Sequence, residues 1–522
     1  MKEFPAGVET LSVQDLIQIC EDNRRIKLTA EAAQKVDESA NHVHRMIENG
    51  DIVYGINTGF GPLCNTIISN EHAAKLQDNI LRSHSVGVGS PIDPKIAKAM
   101  LVLKLHALSM GFSGIQRSTL ERIQFFINEN IIPVVPEKGS VGASGDLAPL
   151  AHLFLPLIGL GEVYFKGDRL QSAKMYQLIG KEPLTLKAKE GLALINGTQF
   201  IAAHAAYAVF RMQQLLDAAD IIGAMSLEGV LGSASPFDEK LHQIRPFKGS
   251  ILVAHRMREL LRNSEMIQSH ENCGRVQDPY SIRCIPQVHG SSRNAWLHMK
   301  ELVDIEMNSV TDNPIIFSEN EAISGGNFHG QPLAMAADYL TVAAHEIGNI
   351  SDRRIYLLLE GGHEGLPKLL MHDIGLNSGF MIPQYTSAAL VSENKSLCFP
   401  ASADSIPTSL GQEDHVSMGS ISVRKLNQVL DNLEHILAIE LVTAAQAFDF
   451  RRPMKSGPIL EACHQHVRLK IDYADQDRIF AKDIAKAHAI IEANELNQIA
   501  KETAKKEKID LNGSSHELFQ LS

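Results

Sequence analysis

Val423-Arg424-Lys425-Leu426-Asn427-Gln428-Val429-Leu430-Asp431-Asn432-Leu433-Glu434-His435-Ile436-Leu437-Ala438-Ile439-Glu440-Leu441 repeats its apolar residues at spacings of three, one and four. On an α-helix those spacings gather Val423, Leu426, Val429, Leu430, Leu433, Ile436, Leu437 and Leu441 on one face, with Arg424, Lys425, Asp431 and Glu434 among the intervening positions. Such a stripe is stable only against other helices. The stretch from Ala334 to Leu359 is longer, rich in alanine and apolar all round, as expected of a helix surrounded by neighbours.

Long helices are predicted to dominate after Gly191-Leu192-Ala193-Leu194-Ile195-Asn196-Gly197-Thr198-Gln199, and the chain turns strongly helical from Pro94. The first hundred residues are mixed. Ser12 caps a predicted helix reaching Cys20, Ile52-Val53-Tyr54 leads into the turn-rich Gly55-Ile56-Asn57-Thr58-Gly59-Phe60-Gly61-Pro62, and a helix through Arg82-Ser83-His84 ends in a glycine-marked loop. Strand signals are few and short. The fold class is therefore mainly α: a long central antiparallel helical bundle with a smaller mixed N-terminal region, divided as 1–110 and 111–522. Lys501 to Lys508 closes the chain as a solvated amphipathic helix.

A chain of 522 residues can bury a large core. Its 49 basic and 61 acidic residues give a net charge of −12, which argues against nucleic acid or an anionic membrane surface as partner. Cys20, Cys64, Cys273, Cys284, Cys398 and Cys463 show no C-x-x-C spacing, so neither a disulfide framework nor a zinc site is indicated. Cys463, His464 and His466 read as surface helix residues rather than metal ligands, and no metal is expected. The N-terminus lacks a signal-peptide core, and no apolar run reaches the length of a membrane span. A soluble, cytoplasmic protein is the expectation.

Chemistry is expected at Lys138-Gly139-Ser140-Val141-Gly142-Ala143-Ser144-Gly145-Asp146-Leu147-Ala148-Pro149-Leu150-Ala151-His152-Leu153. Ala143, Ser144 and Gly145 are small enough for the backbone to fold back and bring the Gly145 nitrogen onto the Ala143 carbonyl carbon. Closure there, with loss of water from the ring and from the Ser144 side chain, leaves an exocyclic methylene conjugated to carbonyls. No ordinary side chain is such an electrophile. The same residues also suit a plain loop in which Ser144 or Asp146 caps the next helix.

Gly139 to His152 resembles, nearly residue for residue, the signature of the ammonia-lyases and aminomutases that carry a methylidene-imidazolone (MIO) group. The resemblance spans roughly residues 50 to 455 through separated motifs in the family's order. It implies a fumarase/aspartase-like helical fold and MIO formed from Ala143-Ser144-Gly145, with Asp146 and Phe328 assisting its formation. It further implies a homotetramer whose active sites combine loops from several subunits.

Tyr54 alone reads as a packing tyrosine, but its counterpart in the family's Tyr-Gly-x-Asn-Thr-Gly-Phe-Gly motif is the base that removes the substrate's β-proton. His84 would line the pocket for the substrate's side chain. In Val276-Gln277-Asp278-Pro279-Tyr280-Ser281-Ile282-Arg283, the planar fork of Arg283 suits an α-carboxylate, and the resemblance implies that Gln277 binds substrate and that Tyr280 supports the prosthetic group. Asn196 is expected to donate through its amide to a carboxylate or to the prosthetic group. Phe328 supplies an aromatic wall, in a segment where Gly330-Gln331 departs from the Ala-Glu usual in histidine lyases.

Gln412-Glu413-Asp414-His415-Val416 resembles the histidine branch, whereas phenylalanine and tyrosine lyases usually carry glutamine in place of Glu413. A carboxylate suits imidazole, which donates an N–H, and would be left unpaired against a phenyl ring. The expected activity is elimination of ammonia from L-histidine to give trans-urocanate. The alternatives are a tyrosine or phenylalanine lyase, an aminomutase, or an inactive helical scaffold. Helix N-termini are expected to face the prosthetic group and stabilise negative charge there.

Overall fold

A computed structural model describes residues 2–69, 72–270, 274, 276–363, 365–513 and 516–521. Four long helices make the centre: Gln199–Gly229, Ile285–Met307, Gln331–Glu360 and Gly419–Asp449, each packed on its neighbours. A helix of 31 residues spans about 46 Å, so the bundle sets the long dimension of this region. The predicted stripe is the buried face of the last of these helices: Val423, Leu426, Val429, Leu430, Leu433, Ile436, Leu437 and Leu441 are all 0% exposed. From Ile439 to Phe448 that helix is buried on every side, and its polar positions must find partners inside.

Three of the four helices run parallel. Near one end Ile201, Ala334 and Gly419 are in contact, and at the other Gly229 meets Leu358 and Ala447. Ile285–Met307 runs the opposite way, with Ile285 beside Gly223 and Glu306 bonded to Thr198. Met381–Leu397 lies outside, against the third and fourth helices.

Within the bundle the buried carboxylates of Asp220 and Glu440 are paired with arginines. Asp220 accepts from Arg256 Nε at 2.8 Å, Arg293 at 2.5 Å and His289 Nδ1 at 2.8 Å. Glu440 accepts from Arg354, Ser226 Oγ at 2.7 Å and Ser351 Oγ at 2.6 Å. Arg354 also reaches His289 Nε2 at 3.3 Å; because a guanidinium only donates, Nε2 accepts and the proton of His289 sits on Nδ1, facing Asp220.

Short elements flank the bundle. Val13–Cys20 is capped by Ser12 through a reciprocal bond with Asp15, as predicted. The strand Phe4–Ala6 pairs in parallel with Ile26–Leu28, and Val88–Pro91 pairs antiparallel with Pro136–Lys138. One apolar core extends from Phe4 to Phe519.

One expectation is corrected. Cys463 and His464 do not lie on a surface; both are buried on the inner face of Pro458–Lys470, where the His464 ring stacks on Phe448 and its Nε2 sits 3.0 Å from Asp449. The helix periodicity of Ile459, Leu460, Cys463 and Val467 carries that inner face. Cys273 lies outside the described residues, and the remaining five cysteines are free thiols. Among the described residues, no helix is long and apolar enough to cross a membrane.

Candidate active site

The loop from Lys138 to Asp146 lies across the end of the bundle where the three parallel helices begin. Ser420 Oγ donates to the Ser140 carbonyl at 2.7 Å, and Met418 N–H donates to the Val141 carbonyl at 3.0 Å. Asp146 does not cap its own following helix, Leu147–Phe154. Its Oδ2 instead accepts from the backbone N–H groups of Phe200 and Ile201, both at 3.0 Å, at the start of Gln199–Gly229. Burial nevertheless pushes the Asp146 carboxyl up to about 7, against the pull of those two amides and of Ser140.

The tripeptide is held in a conformation that most residues avoid. Ser144 has φ +49° and Gly145 φ +85°, both left-handed. A Cβ on Gly145 would come within 2.1 Å of the Gly197 carbonyl oxygen, so only glycine fits. Gly197 N–H donates to the Ser144 carbonyl at 3.1 Å, and Asp146 N–H donates to the Gly197 carbonyl at 2.8 Å. This pairing puts Asn196 beside the tripeptide.

Asn196 donates one amide N–H to the Asn313 carbonyl at 3.0 Å, and its acceptor Oδ1 is buried without a partner. That oxygen suits an ammonium rather than a carboxylate. Lys104, fully buried, donates to the Asn196 backbone carbonyl and to Gln199 Oε1 at 3.3 Å. Burial pushes its ammonium down to about 7, against the nearby charge of Asp312.

Glu413 gathers the remaining groups. Its Oε1 accepts from Ser144 Oγ at 3.0 Å, and its Oε2 accepts from Ser409 Oγ at 2.6 Å and Thr408 Oγ1 at 3.2 Å. Gly61 N–H donates to Tyr54 Oη at 3.1 Å, and the Gly61–Leu63 turn packs on the Ser409–Gly411 turn. Burial and the charge of Glu413 push the Tyr54 phenol up, opposed by the Gly61 bond. His84, the last residue of Ala73–His84, is half-buried; burial pushes its imidazole down, opposed by the Ile80 carbonyl and by Glu413. Phe328 is half-buried in the loop before Gly330, where a Cβ would meet Ile201 and Ser417.

The other predicted residues are elsewhere. Gln277, Tyr280 and Arg283 lie at the opposite end of the bundle, where Asp278 Oδ2 accepts from Ser233 N–H and Ile282 contacts Gly232, just beyond the end of Gln199–Gly229. Tyr280 is 70% exposed, the Arg283 guanidinium sits 4.6 Å over its ring, and Arg283 Nε has no partner. Within a single chain these three residues do not meet the tripeptide. Lys104 and Ser409 escaped the sequence analysis; a lysine inside the apolar run Met100 to Leu108 was the available signal for the first.

A sequence model described as aromatic amino acid lyase matches residues 11–469. The chain belongs to the aromatic amino acid lyase family. This lyase is 45% identical over 489 residues to a histidine ammonia-lyase of Stigmatella aurantiaca, covering 94% of this chain and 96% of the relative. Its fold is similar to that of histidine ammonia-lyase from Trypanosoma cruzi, with a TM-score of 0.91 and 38% identity over 100% of this chain and 98% of the other. A tyrosine aminomutase from Streptomyces globisporus also gives a TM-score of 0.91, at 35% identity over 96% and 99%. The family is MIO-dependent, and the residues of this lyase fit the group: a left-handed Ser144 and a Gly145 that admits no side chain.

Proposed function

We propose that this lyase eliminates ammonia from L-histidine to give trans-urocanate, using MIO made from Ala143, Ser144 and Gly145. The observation that carries the substrate assignment is the Glu413 carboxylate hydrogen-bonded to the tripeptide at Ser144. An imidazole N–H pairs with it, whereas a phenyl ring would leave a desolvated charge without a partner. The names of the relatives agree with this assignment.

Two obstacles define the chemistry: an amine leaves poorly, and the β-hydrogen is hardly acidic. MIO supplies an electrophilic carbon that answers the first. For the second, Tyr54 Oη takes the β-proton, and a phenol pushed up in pKa does so once positive charge reaches the site. The substrate's ammonium and the partner subunit's Arg283 bring that charge. Asn196 Oδ1 accepts from the amine, Arg283 binds the α-carboxylate with Gln277 and Tyr280 beside it, and His84 with Glu413 holds the ring. The N-termini of Gln199–Gly229, Gln331–Glu360 and Gly419–Asp449 converge at the loop and favour negative charge there.

The same geometry supports assembly with other copies, for which the family resemblance implies a homotetramer, because a complete site would need the far-end residues of other copies. Exposed Met335, Tyr339, Val342 and Tyr356 on Gln331–Glu360, with Ile382 and Tyr385 on Met381–Leu397, offer an apolar face for that assembly. The deciding experiment is incubation with L-histidine, L-tyrosine and L-phenylalanine in turn, with product analysis. Ultraviolet absorbance of a conjugated imidazole acrylate from histidine supports the assignment; activity confined to tyrosine, or a β-amino acid product, overturns it.

A further inference from the structure

We propose that Ser409, seconded by Thr408, is a positioning residue for ring recognition: it locks the Glu413 carboxylate so that one oxygen is saturated and the other faces the reacting centre. The proposal rests on the assignment of histidine as substrate. Both hydroxyls donate to Oε2, at 2.6 Å and 3.2 Å. Oε1 has Ser144 Oγ as its donor. That hydroxyl is the oxygen lost when Ser144 dehydrates, so formation of the prosthetic group releases Oε1 for the imidazole N–H of the substrate.

The loop is folded around this carboxylate at a conformational cost. Ser409 has φ +51° and Leu410 φ +55°, followed by Gly411 at φ +87°, three successive left-handed residues of which two carry side chains. Burial of Leu410 does not hold the turn there, since that side chain is 95% exposed. Hydrogen bonds do: Thr408 N–H to the Glu413 carbonyl at 2.9 Å, Gly411 N–H to Thr408 at 3.0 Å, Gln412 N–H to Ser409 at 3.1 Å, and the two hydroxyls on Oε2. Because the Gly61–Leu63 turn packs on this one and donates to Tyr54, the same loop ties the ring-binding carboxylate to the candidate base.

The test uses full-length Ser409→Gly, which removes the hydroxyl while suiting the left-handed backbone, and Ser409→Thr, which keeps a hydroxyl. Kinetics are measured with L-histidine and with L-phenylalanine as the competing ring. In Ser409→Gly, KM for L-histidine is expected to rise about tenfold with a smaller change in kcat, and the preference for histidine over phenylalanine to narrow. Ser409→Thr is expected to restore both. On a Glu413→Gln background, Ser409→Gly is expected to add little, because the two side chains act as one unit. An unchanged KM and ring preference in Ser409→Gly, or equal losses on both substrates, overturns the positioning role. A wild-type enzyme inactive on histidine refutes the substrate assignment instead, so the two failures are distinct.

Discussion

Ser144 and Glu413, 269 positions apart in the chain, meet in a hydrogen bond of 3.0 Å from Ser144 Oγ to Glu413 Oε1. In the proposed function, the contact joins the atom that leaves as the electrophile forms with the group that selects the ring. Ser144→Ala is expected to abolish lyase activity together with the ultraviolet absorbance of the dehydrated tripeptide. Glu413→Ala is expected to keep that absorbance and to lower kcat/KM for L-histidine about ten- to a hundredfold, the worth of a hydrogen bond to a charged group. Steady-state kinetics and a difference spectrum of each variant check both statements.

Tyr54, as the proposed base, is expected to set the pH dependence. Its phenol is raised by burial and by Glu413, and a base must be deprotonated to act, so kcat/KM is expected to climb as pH rises above neutrality. Tyr54→Phe is expected to lose about two to four orders of magnitude in kcat and to remove that limb. A pH–rate profile that is flat from neutral to alkaline in the wild type would refute the assignment.

The separation of Arg283 from Ser144 predicts complementation between subunits. Ser144→Ala and Arg283→Ala are each expected to be inactive alone. Co-expressed, they form mixed assemblies in which some sites receive an intact tripeptide from one copy and an intact arginine from another. Partial recovery of activity, measured after co-purification on two different tags, is the expected result; no recovery in mixed assemblies would place Arg283 outside the shared site.

The network around Asp220 governs stability. Burial opposes ionisation there, but Arg293, the His289 hydrogen bond and Arg256 outweigh it and hold the carboxyl below the usual range. A carboxyl depressed in the folded state contributes stability that is present above its unfolded pKa and lost as pH falls through the folded one. Asp220→Ala leaves the buried Arg256 and Arg293 to share Asp217 as their counter-charge and is expected to cost about 3 to 5 kcal/mol in denaturant unfolding at neutral pH. The contribution of Asp220 to the wild type's unfolding free energy, measured against Asp220→Ala, is expected to be lost only well below the ordinary carboxylate range.

Much of this protein was legible from local pattern. The stripe from Val423 to Leu441 determined a helix and its inner face, because side chains three and four apart share a face whatever the surroundings. Ser12 determined the start of Val13–Cys20, because a capping box is satisfied within four residues. The residues around Ala143-Ser144-Gly145 carried the family resemblance on which the proposed chemistry rests. Only the tertiary structure decided where Asp146 points, which atom of Asn196 is free, that Cys463 and His464 are interior, and that Arg283 lies a bundle's length from Ser144. Those facts depend on which distant backbone groups arrive nearby, and helices of fixed rise per residue carry that information across the molecule, where no local spacing records it.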